Sequence, residues 1–172
     1  EAVAAEPKVA VVRCNGSCEN RPRTALYDGA KSCAIAHATS GGETGCTFGC
    51  LGYGDCVKAC NFDALHVVDG VAVVDKDKCV ACGACIKACP KHLIELVPYD
   101  NLIRVACNSK DMPKATKDNC AAGCMGCKIC ERNCPSEAVT VTDFLAHVDY
   151  DKCTQCGICT EKCPTKAIAK RA

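Results

Sequence analysis

The pattern Cys-x2-Cys-x2-Cys-x3-Cys-Pro occurs three times in this chain, at residues 79–90, 124–135 and 153–164. Four thiols packed so closely in sequence cannot be scattered through an ordinary core. The first three share one tight loop, and the fourth, followed by a proline that stops a helix and lacks an N–H donor, points elsewhere. A chain built on this pattern folds around its sulfurs.

The pattern belongs to a longer repeat. A shift of 74 residues carries Cys33 to Cys107, Cys46 to Cys120, Cys50 to Cys124, Cys56 to Cys130 and Cys60 to Cys134, then Cys79, Cys82, Cys85 and Cys89 to Cys153, Cys156, Cys159 and Cys163. One fixed offset across such a span marks a tandem duplication. It divides the chain into an N-terminal extension (1–32) holding Cys14 and Cys18, a first unit (33–98) and a second (99–172). Between the motifs, the β-branched residues around Asp69-Gly70 predict a hairpin, and Ala138–Thr142 with Ala146–Val148 predict another. A short helical turn is expected after each fourth cysteine. The expected fold is α+β: two tandem units, each like a bacterial two-cluster ferredoxin.

The remaining composition explains why such a chain needs its sulfurs. Its 172 residues include 21 Cys but no Trp, three Phe and four Tyr. So little large apolar surface leaves small units short of core, and bound metal can supply the deficit. An odd cysteine count and the lack of a secretory signal argue against a disulfide scaffold. Structural zinc takes two Cys-x2-Cys knuckles set well apart, whereas the run found here is that of [4Fe–4S] ferredoxins, whose fourth cysteine binds the other cluster. On that rule Cys60 joins Cys79, Cys82 and Cys85; Cys163 joins Cys124, Cys127 and Cys130; and Cys134 joins Cys153, Cys156 and Cys159. A zinc-stabilised interaction module is the weak alternative.

The first motif is irregular. It reads Cys46-x3-Cys50-x5-Cys56-x3-Cys60, with Tyr53 where the second ligand should be and Asn61 in place of proline. In the preferred reading Cys46 fills the gap, and Cys46, Cys50, Cys56 and Cys89 hold the fourth cluster, with glycines 45, 49, 52 and 54 bending the loop. In the other, Cys14, Cys18 and Cys33 join Cys46 in a fifth cluster. Outside the ligand sets, Cys107 and Cys120 have buried thiol packing as their simplest role.

A formal net charge of +1 offers no broad basic field for nucleic acid. Sixteen thiolates around four cores of about +2 each would make the loaded molecule acidic by roughly eight charges. Lys87, Lys91, Lys128, Arg132, Lys162 and Lys166 flank the cluster loops; they would either steer a redox partner or form a solvated face. His37, His66, His92 and His147 lie outside every cysteine slot. Gly41-Gly42 and Gly52-x-Gly54 lack the strand–loop–helix context of a nucleotide site, and no residue set argues for catalysis. No apolar stretch is long enough to cross a membrane. The chain opens on Glu1 rather than Met, as expected of a processed or truncated chain.

Residues 11–16 (Val-Val-Arg-Cys-Asn-Gly) and 45–56 (Gly-Cys-Thr-Phe-Gly-Cys-Leu-Gly-Tyr-Gly-Asp-Cys), followed by the tandem cluster motifs, closely resemble the B subunit of the Rnf complex in its long, clostridial-type form. The resemblance covers essentially the whole chain. It implies a multi-cluster electron-transfer subunit of a membrane-bound, ion-translocating ferredoxin:NAD+ oxidoreductase. Such a subunit is peripheral on the cytoplasmic face of the membrane, takes electrons from a soluble ferredoxin or flavodoxin, and has no substrate-converting site of its own. Family members also carry an N-terminal membrane helix and a further cluster domain, to which nothing in these 172 residues corresponds. An iron–sulfur subunit of a hydrogenase or formate dehydrogenase is the alternative.

Overall fold

The computed structural model describes residues 6–170. The first half contains strand β1 (Lys8–Val12), helices α1 (Cys33–Thr39) and α2 (Asp55–Lys58), strands β2 (Leu65–Val68) and β3 (Val71–Val74), helix α3 (Ala84–Ala88) and strand β4 (Ile94–Pro98). The second half contains β5 (Ile103–Val105), helices α4 (Pro113–Asn119) and α5 (Ile129–Arg132), strands β6 (Val139–Thr142) and β7 (Leu145–Val148), helix α6 (Ile158–Lys162) and β8 (Ile168–Lys170). Each half holds two antiparallel two-stranded sheets: a hairpin, β2–β3 or β6–β7, and a pair that joins the ends of the unit, β1–β4 or β5–β8.

Both hairpins turn on two residues with left-handed backbone, Asp69-Gly70 (φ 48° and 80°) and Asp143-Phe144 (φ 49° and 60°). That pair of conformations matches the twist of the flanking strands. The cluster loop of each unit lies directly on its turn. A Cβ on Gly52 would stand 2.7 Å from the Gly70 carbonyl oxygen, and one on Gly126 would stand 2.6 Å from the Phe144 Cα. Only glycine allows the two backbones to approach this closely. Gly52 and Gly54 therefore bend the loop as expected, whereas Gly45 and Gly49 serve a different purpose described below.

The short helices lie before the fourth cysteine of each motif, not after it. α2, α3, α5 and α6 each contain the third cysteine and start from a residue with positive φ: Gly54, Gly83, Lys128 or Gly157. After the fourth cysteine comes a single reverse turn, with the amides of His92, Glu137 and Lys166 donating to the carbonyls of Cys89, Cys134 and Cys163. Proline at three of the four sites fixes this geometry, because its ring cannot continue the helix.

β1 falls inside the segment expected to be an extension, yet it pairs along its whole length with β4, from Lys8↔Pro98 to Val12↔Ile94. Its valine-rich run is buried on both faces. Alternate residues of a strand point opposite ways: Ala10 and Val12 pack into the first unit's core with Leu65, Val71, Leu93 and Ile94, while Val9 and Val11 pack with Val97, Tyr99 and Tyr150. Tyr150 belongs to the second unit, so this sheet lies between the two halves. Arg104 crosses the same boundary and donates from Nη1 to the Val12 carbonyl at 2.5 Å. The second unit has its own core, in which Ile103, Val139, Leu145 and Ile168 surround buried cysteines.

β1 also corrects the repeat. Cys14 follows β1 by the same step that Cys107 follows β5. Arg13 N–H donates to Leu93 O and Ala106 N–H to Ala167 O, each at 2.7 Å. Gly16 N–H and Ser109 N–H then turn back onto the sulfurs of Cys14 and Cys107, at 3.4 and 3.5 Å. The structural counterpart of Cys107 is therefore Cys14, not Cys33. The first unit carries a longer connection between its first strand and Cys46, and Cys33 sits in that added length.

Candidate iron–sulfur sites

Each cluster motif presents its thiols in the same way. The residue before the second-ligand slot has left-handed backbone (Gly52 before Tyr53, and Ala81, Gly126 and Gln155 before Cys82, Cys127 and Cys156), which turns the loop so that successive sulfurs face one centre. The third cysteine, on its short helix, is buried at Cys56, Cys85, Cys130 and Cys159, and the second is exposed at Cys82, Cys127 and Cys156.

Cys60, Cys79, Cys82 and Cys85 surround one cavity of about 340 Å3. Cys124, Cys127, Cys130 and Cys163 surround another of about 350 Å3. Cys153, Cys134 and Cys156 crowd the thiol of Cys159, which burial and these neighbours push up to about 11. In each of these groups the fourth cysteine comes from the other motif of the same unit. Ala10 N–H donates to Cys79 Sγ at 3.4 Å, and Ser136 and Thr165 hydroxyls lie 3.6 and 3.8 Å from the sulfurs of Cys134 and Cys163.

At the irregular motif the structure departs from the preferred reading. Cys33, Cys50, Cys56 and Cys89 surround a cavity of about 400 Å3, and Cys46 is not among its lining residues. Asp55 explains how Cys33 arrives there. Its Oδ2 accepts from Ser32 Oγ at 2.9 Å and from Ala34 N–H at 3.0 Å, which fastens the start of α1 to the start of α2 with Cys33 between the two contacts. Burial alone would raise the Asp55 carboxyl, but the hydrogen bonds from Ala34, Ser32 and Cys33 outweigh it and hold the group below its ordinary value. Burial pushes the Cys56 thiol up to about 12, with Cys50, Cys33 and Cys89 adding to the rise. Tyr53, in the slot of the missing ligand, packs its ring 5.7 Å from that of Tyr27, and the Lys31 ammonium lies over both. Three neighbouring motifs show a sulfur at this position; here it is covered.

The grouping of Cys14, Cys18 and Cys33 does not form. Cys33 faces the cavity just described, and Cys18 is exposed, its amide donating to Asp69 O at 2.8 Å. Cys14 instead joins Cys46, Cys107 and Cys120 around a further cavity of about 390 Å3. Sequence reasoning missed this set because its members come from both units and follow no local spacing.

Among the described residues, no three or more His, Cys, Asp or Glu side chains are arranged to hold a metal ion. Zinc, with bonds of about 2.3 Å to sulfur, would draw four thiolates tightly together. The cysteines here line cavities without that close convergence, with amide donors aimed at several sulfurs and hydroxyls beside two more. That donor set fits a cubane, whose properties depend on hydrogen bonds to its sulfurs. None of the four histidines lines these cavities.

Comparison with known proteins agrees with this geometry. Residues 123–168 match the 4Fe-4S dicluster domain and residues 72–95 the 4Fe-4S binding domain. The B subunit of the Na(+)-translocating ferredoxin:NAD(+) oxidoreductase complex of Acetobacterium woodii is 44% identical over 156 residues, covering 90% of this chain and 47% of that protein. The B subunit of the ion-translocating oxidoreductase complex of Methanosarcina acetivorans is 44% identical over 157 residues, covering 90% of this chain and 59% of its own. Its counterpart in the proton-translocating ferredoxin:NAD(+) oxidoreductase complex of Clostridium ljungdahlii is 42% identical, covering 86% of this chain and 52% of its own. The chain thus spans about half the length of these relatives. It belongs to the 4Fe–4S ferredoxin-type proteins, and over most of its own length it is similar to the B subunits of ion-translocating ferredoxin:NAD(+) oxidoreductase complexes.

Proposed function

We propose that this chain relays electrons through [4Fe–4S] clusters in an ion-translocating ferredoxin:NAD+ oxidoreductase, taking them from a reduced ferredoxin or flavodoxin and passing them to other subunits. The carrying observation is the convergence of four cysteines at each of four sites. Cys33, Cys50, Cys56 and Cys89 would hold one cluster, and Cys60, Cys79, Cys82 and Cys85 a second. Cys124, Cys127, Cys130 and Cys163 would hold a third, and Cys134, Cys153, Cys156 and Cys159 a fourth. When bound, such clusters accept and release single electrons.

The chain's own residues fix the sites, shield them and tune them. Amides and hydroxyls aimed at Cys79, Cys134 and Cys163 stabilise negative charge on sulfur, which favours the reduced state. Exposed Cys82, Cys127 and Cys156 bring three sites to the surface, where a donor or acceptor can dock. Tyr53, Tyr27 and Lys31 close the corresponding edge of the remaining site and make it an internal relay. NAD+ would react on another subunit. Among the described residues no helix is long and apolar enough to cross a membrane; the proposal places the chain on the cytoplasmic side of a membrane complex through its other subunits.

The test is electron uptake by the anaerobically purified protein. Substoichiometric reduced ferredoxin should bleach the broad visible absorption of the oxidised clusters in one-electron steps. A protein containing zinc and little iron, or one that ferredoxin leaves unreduced, would sink the proposal.

A further inference from the structure

The cavity lined by Cys14, Cys46, Cys107 and Cys120 lies where the two units meet, and it has the symmetry of the duplication. Cys14 and Cys107 are counterparts by their strands and turns; Cys46 and Cys120 are counterparts by the 74-residue shift. Each unit contributes one of each. Gly45 and Asn119, the residues just before Cys46 and Cys120, are also counterparts, and they touch: a Cβ on Gly45 would collide with Asn119 Oδ1. Contact between equivalent positions is the mark of a two-fold relation, so the four sulfurs surround its axis.

Two further observations give the cavity a chemistry. Cys14 Sγ accepts from the amides of Gly16 and Cys50, both at 3.4 Å, and Cys107 Sγ accepts from those of Ser109 and Cys124, at 3.5 and 3.3 Å. Paired amides aimed at one sulfur suit a thiolate better than a thiol, which accepts weakly. Arg21 also lines the cavity. It is 7% exposed, its Nε is buried without a hydrogen-bond partner, and no carboxylate pairs with it among the described residues. Gly49 lacks a side chain where one would strike Arg21 Nη1, with Cys46 Sγ alongside. A buried, unpaired guanidinium is costly unless an anion faces it. Asp111 also lines the cavity but makes no ion pair with Arg21 among the described residues, so two disulfides or four neutral thiols would leave the guanidinium without a contacting anion.

We propose that Cys14, Cys46, Cys107 and Cys120 hold a fifth [4Fe–4S] cluster shared by the two units, and that Arg21 is its positioning and tuning residue. The inference rests on the relay reading above. Four thiolates around a core of about +2 leave a net charge near −2, the anion that Arg21 lacks. The site also touches its neighbours: Cys50 and Cys124 line the adjacent cavities of the first and second units, and their amides bond to Cys14 and Cys107. An electron crossing between units would pass through this site, one leaving for each one entering, with no bond or proton exchanged. A guanidinium beside the cluster favours the added negative charge, so its potential lies above that of the same site without Arg21.

The test compares the anaerobically purified wild-type chain with Cys14→Ser/Cys107→Ser and with Arg21→Gln, reading iron and acid-labile sulfide per chain together with a potentiometric titration followed by electron paramagnetic resonance. The double variant should lose about four irons and four sulfides and one titrating component, and keep the rest. Arg21→Gln should keep its iron and shift that one component to a more negative potential. An unchanged iron count in the double variant overturns the proposal. So does a zinc ion in its place, or a Cys14–Cys46 or Cys107–Cys120 disulfide in the native protein. If the double variant fails to fold, the Arg21→Gln titration decides, because a purely structural arginine would not move one potential selectively. A wild-type protein without iron would overturn the relay reading itself, whereas loss of only this component's signature leaves the other four sites standing.

Discussion

The amide of Cys124 donates to the sulfur of Cys107 at 3.3 Å, and in the first unit the amide of Cys50 makes the matching contact to Cys14 at 3.4 Å. In both cases the first cysteine of a cluster loop is tied to a cysteine just past an end strand. The sheet that joins the two ends of each unit thereby fixes where its cluster loop begins. This single contact links secondary structure to the placement of metal ligands.

Cys33 and Cys46 should separate cleanly in mutants. Cys33→Ser is expected to disturb the site of Cys50, Cys56 and Cys89, with loss of up to about four irons per chain or conversion to a three-iron centre. Cys18→Ser, at an exposed residue outside the cavities described above, should change nothing in the iron count. Adding Tyr53→Cys to Cys33→Ser restores a sulfur to the regular slot, and iron should return. The measurement is iron per chain with electron paramagnetic resonance; full iron content in Cys33→Ser alone would refute the assignment.

Much of this site was readable in the sequence, and the limits have physical causes. The regular motifs set loop geometry locally, so spacing alone brought Cys60 to Cys79, Cys82 and Cys85. The hairpins at Asp69-Gly70 and Asp143-Phe144 followed from strand composition and turn position. Cys33 was hidden because it reaches its cavity through Asp55, a contact 23 residues away in sequence from Ser32. The constant offset misled as well: it pairs Cys33 with Cys107 by number, while β1 and β5 pair Cys14 with Cys107 in space. The valine run of β1 was a signal for a strand, but its partner β4 lies beyond the whole cluster region.

Asp55 makes that loop sensitive to acid. Its carboxyl is held below the ordinary value, so the folded state binds its proton less readily than the unfolded chain does. Its stabilisation is complete above the unfolded value of about 4 and fades as the pH falls through the lower, folded value. Asp55→Ala should remove two charge-assisted hydrogen bonds and cost about 2 kcal/mol. Denaturant melts of the two proteins should differ at neutral pH and converge at strongly acidic pH. Equal midpoints at neutral pH would show that Asp55 does not secure α1.

Gly126 offers a purely steric test. Gly126→Ala introduces a Cβ that would meet the Phe144 Cα at 2.6 Å, at a φ of 60°. The hairpin turn must shift, and the expected loss is about 1–3 kcal/mol. Gly83→Ala, with positive φ but nothing within 4 Å, should cost less. Thermal or denaturant unfolding of both variants with iron bound gives the comparison, and the order Gly126 above Gly83 is the essential result.

Iron removal should unfold both units together. The buried cysteines sit among the residues that form each core, so stripping the metal leaves clustered thiols and too little apolar packing. Burial pushes the Cys130 thiol up to about 12, with Cys124 and Cys127 adding to the rise. The free Cys130 thiol therefore keeps its proton at neutral pH, and its bond to iron must displace that proton. Cluster insertion into the stripped protein should release protons and become more favourable as pH rises. Circular dichroism during chelation, and reconstitution yield against pH, test the two halves of this expectation.

The central cavity takes two of its cysteines from each unit, and that division has a consequence for how the protein is made. The sulfurs of Cys14 and Cys46 emerge from the ribosome long before Cys107 and Cys120 exist. Either unit can gather its own four-cysteine sites from its own sequence, but the central set is complete only once both halves have docked. Its assembly would therefore report that the duplication has closed on itself, and a chain interrupted after residue 98 could never form it. A sequence that began as one unit copied twice has acquired, at the seam, a feature that neither copy could encode alone.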